Sequence, residues 1–185
     1  KKFHLEKLIS LFNEALKKKE LRIAKLYSEE IIKINPNITD VYFSLGVLEL
    51  NKGNIANSIK LFEKTIKLNP KSFFAYGNLG LAYSKSGNDQ LAIKNYNQAI
   101  NLNPKSCIAH YNLGSLYKRK NNLEKSEKNL NEAIKIMPKM LPAYNNLFEL
   151  FDKSNQLKKL DDLIKKAKVH FNENPIIEFF SAIIE

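Results

Sequence analysis

Proline returns every 34 residues along this chain, at Pro36, Pro70, Pro104 and Pro138, each time behind an Ile-, Leu- or Met-rich helical ending. A fixed period of that length describes a stack of near-identical helix–turn–helix units rather than one globular core. No single unit buries its apolar face alone, so neighbours must stack and the core must run along the array. An array of this kind offers an extended binding surface and few enclosed sites for catalysis.

The residues around each proline repeat as well. The clearest copy runs from Phe73 through Tyr76, Leu79-Gly80 and Tyr83, crosses a Ser-Gly-Asn-Asp turn, and continues from Leu91-Ala92 to Pro104. Along the first helices an aromatic slot reads Tyr42, Tyr76, His110 and Tyr144. A Leu-Gly slot reads Leu45-Gly46, Leu79-Gly80, Leu113-Gly114 and then Leu147-Phe148, and a later aromatic slot reads Glu49, Tyr83, Tyr117 and Phe151. The second helices carry small residues at Ala24, Ser58, Ala92 and Ser126 and again at Thr65, Ala99, Ala133 and Ala167, where crossing helices approach too closely for a larger side chain. This pattern resembles the tetratricopeptide repeat, and many positions agree at once and recur. The resemblance covers nearly the whole chain and implies an all-α, right-handed superhelical solenoid. Its flavour is similar to the repeat arrays of O-linked N-acetylglucosamine transferase-like proteins.

The expected organisation is a single array over residues 1–185, with repeats at about 5–38, 39–72, 73–106, 107–140 and 141–174. The first is degenerate. The fifth has Phe148 where glycine is expected and Leu160 where alanine is, which predicts looser or shifted packing. Residues 175–185 read as the first helix of a truncated sixth repeat, or a cap, with Phe180 and Ser181 in the Leu-Gly slots after a one-residue shift. That helix is apolar on nearly every face, so Phe179, Phe180, Ile183 and Ile184 are expected to be left wet unless a partner or a second copy covers them. Lys1 is not a methionine, so the true N-terminus is expected to be missing.

Charge enters next. Thirty Lys and Arg against nineteen Asp and Glu give +11, a balance that suits an acidic partner. Only Arg22 and Arg119 are arginines, whereas nucleic-acid readers favour arginine for bidentate contacts, so nucleic acid is disfavoured as a partner. No apolar run approaches the roughly 18 residues of a membrane span. No signal peptide is visible, Cys107 has no partner for an intrachain disulfide, and the expected location is the cytoplasm.

At about 100° per residue, the aromatic and Leu-Gly slots of each first helix share one side. The resemblance implies that the opposite side lines a concave, ligand-binding groove. Two stripes run there. Asn78, Asn112 and Asn146 recur at one phase, and an asparagine amide pairs with both N–H and C=O of an extended peptide. Such a ladder is similar to the asparagine ladder of the glycosyltransferase arrays; the alternative is that these amides simply meet water. Lys85, Arg119 and Lys153 form a cationic stripe suited to an acidic or phosphorylated segment, or else complement the helix dipole. Phe43, Phe74 and Tyr111 are candidate hydrophobic anchors. The chaperone-tail carboxylate clamp of some family members is excluded, because its lysine slot holds Ile9, Phe43, Gly77, Tyr111 and Asn145.

Catalytic chemistry is not in evidence. His4, His110 and His170 are scattered, no Cys–His cluster has metal spacing, and no glycine-rich phosphate loop appears. The expected function is a non-enzymatic protein–protein interaction scaffold that binds an extended peptide or partner helix, with no cofactor and no metal. The alternatives are the substrate-recruiting region of a larger glycosyltransferase, sulfotransferase or hydroxylase, and an electrostatic RNA binder.

Overall fold

Residues 2–184 are described in the computed structural model of the chain, and every regular element among them is an α-helix. In order these are α1 (Lys2–Lys17), α2 (Leu21–Ile34), α3 (Thr39–Asn51), α4 (Ile55–Leu68), α5 (Phe73–Lys85), α6 (Asp89–Leu102), α7 (Cys107–Arg119), α8 (Leu123–Ile136), α9 (Leu141–Lys153), α10 (Leu157–Lys168) and α11 (Pro175–Ile184). The all-α class expected from the period is the one that forms. Lys1 and Glu185, on which expectations about the chain ends fell, lie outside the described residues.

The period has a local cause at both kinds of turn. Within each of the first five helix pairs, the chain reverses through a residue in the left-handed region, at Lys19, Gly53, Gly87, Asn121 and Asn155, with φ between 54° and 83°. Each reversal is closed by the same backbone bond, from the next residue's N–H to the carbonyl five back, as from Asn54 to Glu49 and from Asn88 to Tyr83, both at 2.9 Å. This is the 6→1 bond of a Schellman motif, which satisfies carbonyls that the ending helix leaves open. Between pairs, Asn35, Asn69 and Asn103 turn their side-chain oxygens onto the backbone N–H two residues on, at 3.0–3.1 Å. The following proline has no N–H and cannot continue the helix. Ser72 and Ser106 then cap the N-termini of α5 and α7, while inside the fourth pair Asn122 caps α8.

The chain divides into two compact units, one running to Asn95 and the other from Tyr96 onward. In the first, α1 packs on α2, α3 on α4, and α3 also reaches α5. In the second, α7 packs on α8 and α9, α9 on α10, and α10 on α11. Contact of each first helix with its own partner and with the next first helix is the signature of stacked hairpins. The small slots work as crossings: a Cβ placed on Gly46 would stand 2.6 Å from the ring of Phe62, and one on Gly114 would stand 2.8 Å from Leu130 Cγ. At the second crossing the Ser126 hydroxyl also donates to the Gly114 carbonyl at 2.9 Å.

The fifth pair departs from the pattern in a different way from the one expected. Phe148 and Leu160 are fully buried rather than loosely held, and Phe148 stacks on Phe180 with ring centroids 5.1 Å apart. The ring that replaces glycine therefore becomes the seat for α11.

The aromatic slot has a polar task. The Tyr42 hydroxyl donates to the Pro36 carbonyl at 3.0 Å, and two repeats on, His110 Nε2 stands 3.1 Å from the Pro104 carbonyl. The His110 Nδ1 is 3.3 Å from Asn129 Oδ1. Histidine thus replaces tyrosine here because a ring nitrogen reaches the same carbonyl. In the fifth repeat the Tyr144 hydroxyl is buried and unpartnered among the described residues, and its ring meets Phe171 edge-on at 5.6 Å.

Candidate partner-binding faces

In the first unit the exposed face of α3 and α5 is built on rings. Phe43 is half-buried and tilts against Phe62 at 6.0 Å and against Phe74 at 6.5 Å. Phe74 remains 60% exposed, although Phe73 lies 4.0 Å away by ring centroid. A fully buried phenylalanine is worth about 1.5–3 kcal/mol of transfer free energy, and most of that is unrealised at Phe74. Its two neighbours supply the walls of an aromatic seat. The Asn78 amide donates to the Phe74 carbonyl at 2.9 Å, which fixes the side chain along its own helix. Lys85 is exposed near the end of α5.

In the second unit the face of α7 and α9 is polar and cross-linked. Lys118 Nζ donates to Asn146 Oδ1 at 2.6 Å and to Glu149 Oε2 at 2.9 Å, while Asn146 Nδ2 donates to Ser115 Oγ at 2.8 Å. One asparagine thereby ties two points of α7 to α9. Asn112, one repeat earlier at the same phase, is half-buried and carries no such bridge among the described residues. Tyr111 is half-buried against the core of this unit. The exposed side chains of Arg119 and Lys153 line one cavity of about 260 Å³ together with Lys118, Leu123 and Leu150.

At the end of the chain, α11 sorts its apolar residues by face. Phe179 is 62% exposed and Ile183 is also exposed, whereas Ile184 is half-buried and Phe180 is only 7% exposed. The expectation of a wet Phe180 is therefore corrected, because the Phe148 ring receives it. Its assignment to the leucine slot, one residue short of strict register with Leu147, already pointed inward.

Of the expected site residues, the structure brings together Phe43 with Phe74, and Arg119 with Lys153. The role of Lys118 as a clamp was not legible in the sequence. No helix among the described residues is long and apolar enough to cross a membrane, and no group of three or more metal-ligating side chains occurs among them.

Comparison with known families places four matches in succession. Family models described as tetratricopeptide repeat match residues 39–72, 61–94 and 107–140, and one described as TPR repeat matches residues 85–121. No curated protein matches the sequence. Among solved structures, a crystal structure of MamA superposes with a TM-score of 0.79 at 23% identity, covering 98% of this chain and 95% of that one. PilF of Pseudomonas aeruginosa gives 0.82 at 13% identity, with 97% and 82% covered. YrrB, described as a TPR protein with an unusual peptide-binding site, gives 0.74 at 16% identity, with 95% and 90% covered. At these identities the likeness is one of fold.

Proposed function

Since this chain belongs to the tetratricopeptide repeat family, we propose that it is a non-catalytic interaction scaffold whose first-helix faces hold a segment of a protein partner. The observation that carries this reading is the exposed Phe74 ring beside Phe43, an aromatic seat left unfilled on the face that the repeat architecture offers to ligands. In the second unit, Asn112 is the asparagine best placed to pair with a peptide backbone, because the Asn146 amide is already engaged with Ser115 and Lys118. Arg119 and Lys153, sharing one cavity, favour a segment with an acidic side chain. YrrB supports the class of ligand by analogy, as a fold relative described as peptide-binding.

The test is selection of a random peptide library on the whole chain, followed by rebinding to variants. Enriched peptides should carry an apolar anchor, and then lose affinity for Phe74→Ala, or an acidic residue, and then lose affinity for Asn112→Ala. Peptides that bind both variants as well as the wild type would place the ligand elsewhere.

A further inference from the structure

Six residues after Phe43, and so about 120° around α3, Glu49 occupies the slot that holds Tyr83, Tyr117 and Phe151 in the later repeats. Its side chain is only 8% exposed. Oε2 accepts from Asn54 Nδ2 at 2.9 Å and from Asn57 Nδ2 at 3.5 Å, both neutral amides. No ion pair reaches Glu49 among the described residues. The carboxylate lines a cavity of about 280 Å³ between α2, α3 and α4, whose walls include Leu45 and Leu61 and whose surface is mostly apolar. Lys25, Glu29 and Lys60 also line it, all three exposed, so Glu49 is the buried charge of the cavity.

Three repeats further on, in the second unit, the same register positions line a cavity of equal size, formed by Glu127, Asn131, Phe151, Lys159 and Leu163 among others. The hollow is thus a product of repeat geometry, and what differs is the chemistry inside it. There an exposed lysine of the chain covers the ring: Lys159 Nζ stands 5.5 Å above the Phe151 ring and 2.8 Å from Glu127. In the fourth repeat Lys125 likewise sits 5.5 Å above the Tyr117 ring. The residue of the second repeat in register with Lys125 and Lys159 is Asn57. Ring and lysine have been exchanged together for carboxylate and amide, so the site gains a buried negative charge whose bonded partners are neutral amides, while Lys25 and Lys60, in register with Glu127 and Asp162, line the cavity without an ion pair to it. A buried charge without a direct ion pair is costly, and pairing it recovers much of that cost.

We propose that the Glu49 cavity is a binding site for a primary ammonium group on a short apolar stem, with the ammonium on Glu49 and the stem against Leu45 and Leu61. The volume accommodates such a group with room to spare. This site is separate from the aromatic seat at Phe74 and does not depend on the partner-binding reading.

Chemical-shift titration of the labelled whole chain with n-butylammonium, with Nα-acetyl-lysine methylamide and with n-butanol tests it. Butylammonium should give saturable shifts at Glu49, Asn54 and Asn57, while butanol, the neutral analogue, should not. If the lysine derivative binds at least as well, the natural source is a partner's lysine side chain; if only butylammonium binds, it is a free amine. Glu49→Gln should weaken binding about tenfold or more by removing the charge-assisted bond. Asn57→Lys should do the same by placing an ammonium beside Glu49, as Lys159 stands beside Glu127. Circular dichroism establishes that each variant is folded, and Asn57→Lys decides the matter if Glu49→Gln is not. Equal response to butanol and butylammonium, or unchanged affinity in the folded variants, would overturn the proposal.

Discussion

Asn146 receives a hydrogen bond from Lys118 Nζ at 2.6 Å and returns one to Ser115 at 2.8 Å, so a side chain expected to serve a ligand also holds α9 against α7. The two roles separate by measurement. Asn146→Ala should lower stability by about 1–2 kcal/mol through the loss of both bonds, while Asn112→Ala should stay within about 0.5 kcal/mol of wild type. Urea denaturation of the two variants reads the difference, and equal losses would remove the clamp.

The aromatic slot predicts an asymmetry between two tyrosines. Tyr42→Phe deletes the bond to the Pro36 carbonyl and should cost about 1 kcal/mol. Tyr144→Phe deletes a buried hydroxyl that has no partner among the described residues, and should be neutral or stabilising. Guanidinium unfolding curves compare them directly.

The same tyrosine gives a pH dependence. Burial pushes the Tyr144 phenol above its ordinary value, and Tyr83 is raised chiefly by burial and further by its hydrogen bond to Glu63. A raised phenol favours the protonated form in the folded state, so its contribution is complete below the unfolded value of about 10 and is lost as pH climbs past it. Thermal melts between pH 8 and 11 should show stability falling above about pH 10, with a smaller fall in Tyr144→Phe.

Lys19 is the non-glycine, non-asparagine member of the five left-handed turn residues inside the helix pairs, with φ of 58°. A side chain with a Cβ carries a penalty of about 1 kcal/mol in that region, so Lys19→Gly should stabilise by a few tenths to about 1 kcal/mol. Gly87→Ala, at the matching position with φ of 81°, should destabilise by a similar amount. Paired melting curves check the opposite signs.

Gly46→Ala should be harmful for a steric reason. The new Cβ would meet Phe62 at 2.6 Å, and Phe62 is fully buried and has little room to yield. The expected loss is about 1–3 kcal/mol, measured by denaturant unfolding.

Much of this was readable from residue spacing. Gly46 and Gly114 announce helix crossings because a small residue recurs at a fixed phase, and Asn35, Asn69 and Asn103 announce turns because each precedes a proline. Lys19 was not legible as a left-handed residue, since nothing in its type signals that conformation; only its register with Gly53 and Gly87 does. The clamp at Lys118 was hidden because its partners lie 28 and 31 positions away, on another helix. Burial of Phe180 depended on Phe148 filling a place that glycine would have left open. The hollow at Glu49 needed α2 and α4 as walls, so the exchange of ring for carboxylate was visible in the sequence while the cavity was not.

The most direct measurement is amide chemical-shift mapping of the labelled chain with its best selected peptide. Binding through the first-helix faces predicts the largest changes either at Phe43, Phe74 and Asn78 on α3 and α5, abolished by Phe74→Ala, or at Asn112 and Lys153 on α7 and α9, abolished by Asn112→Ala. Changes confined to the second helices α2, α4, α8 and α10, and indifferent to Phe74→Ala, would contradict it.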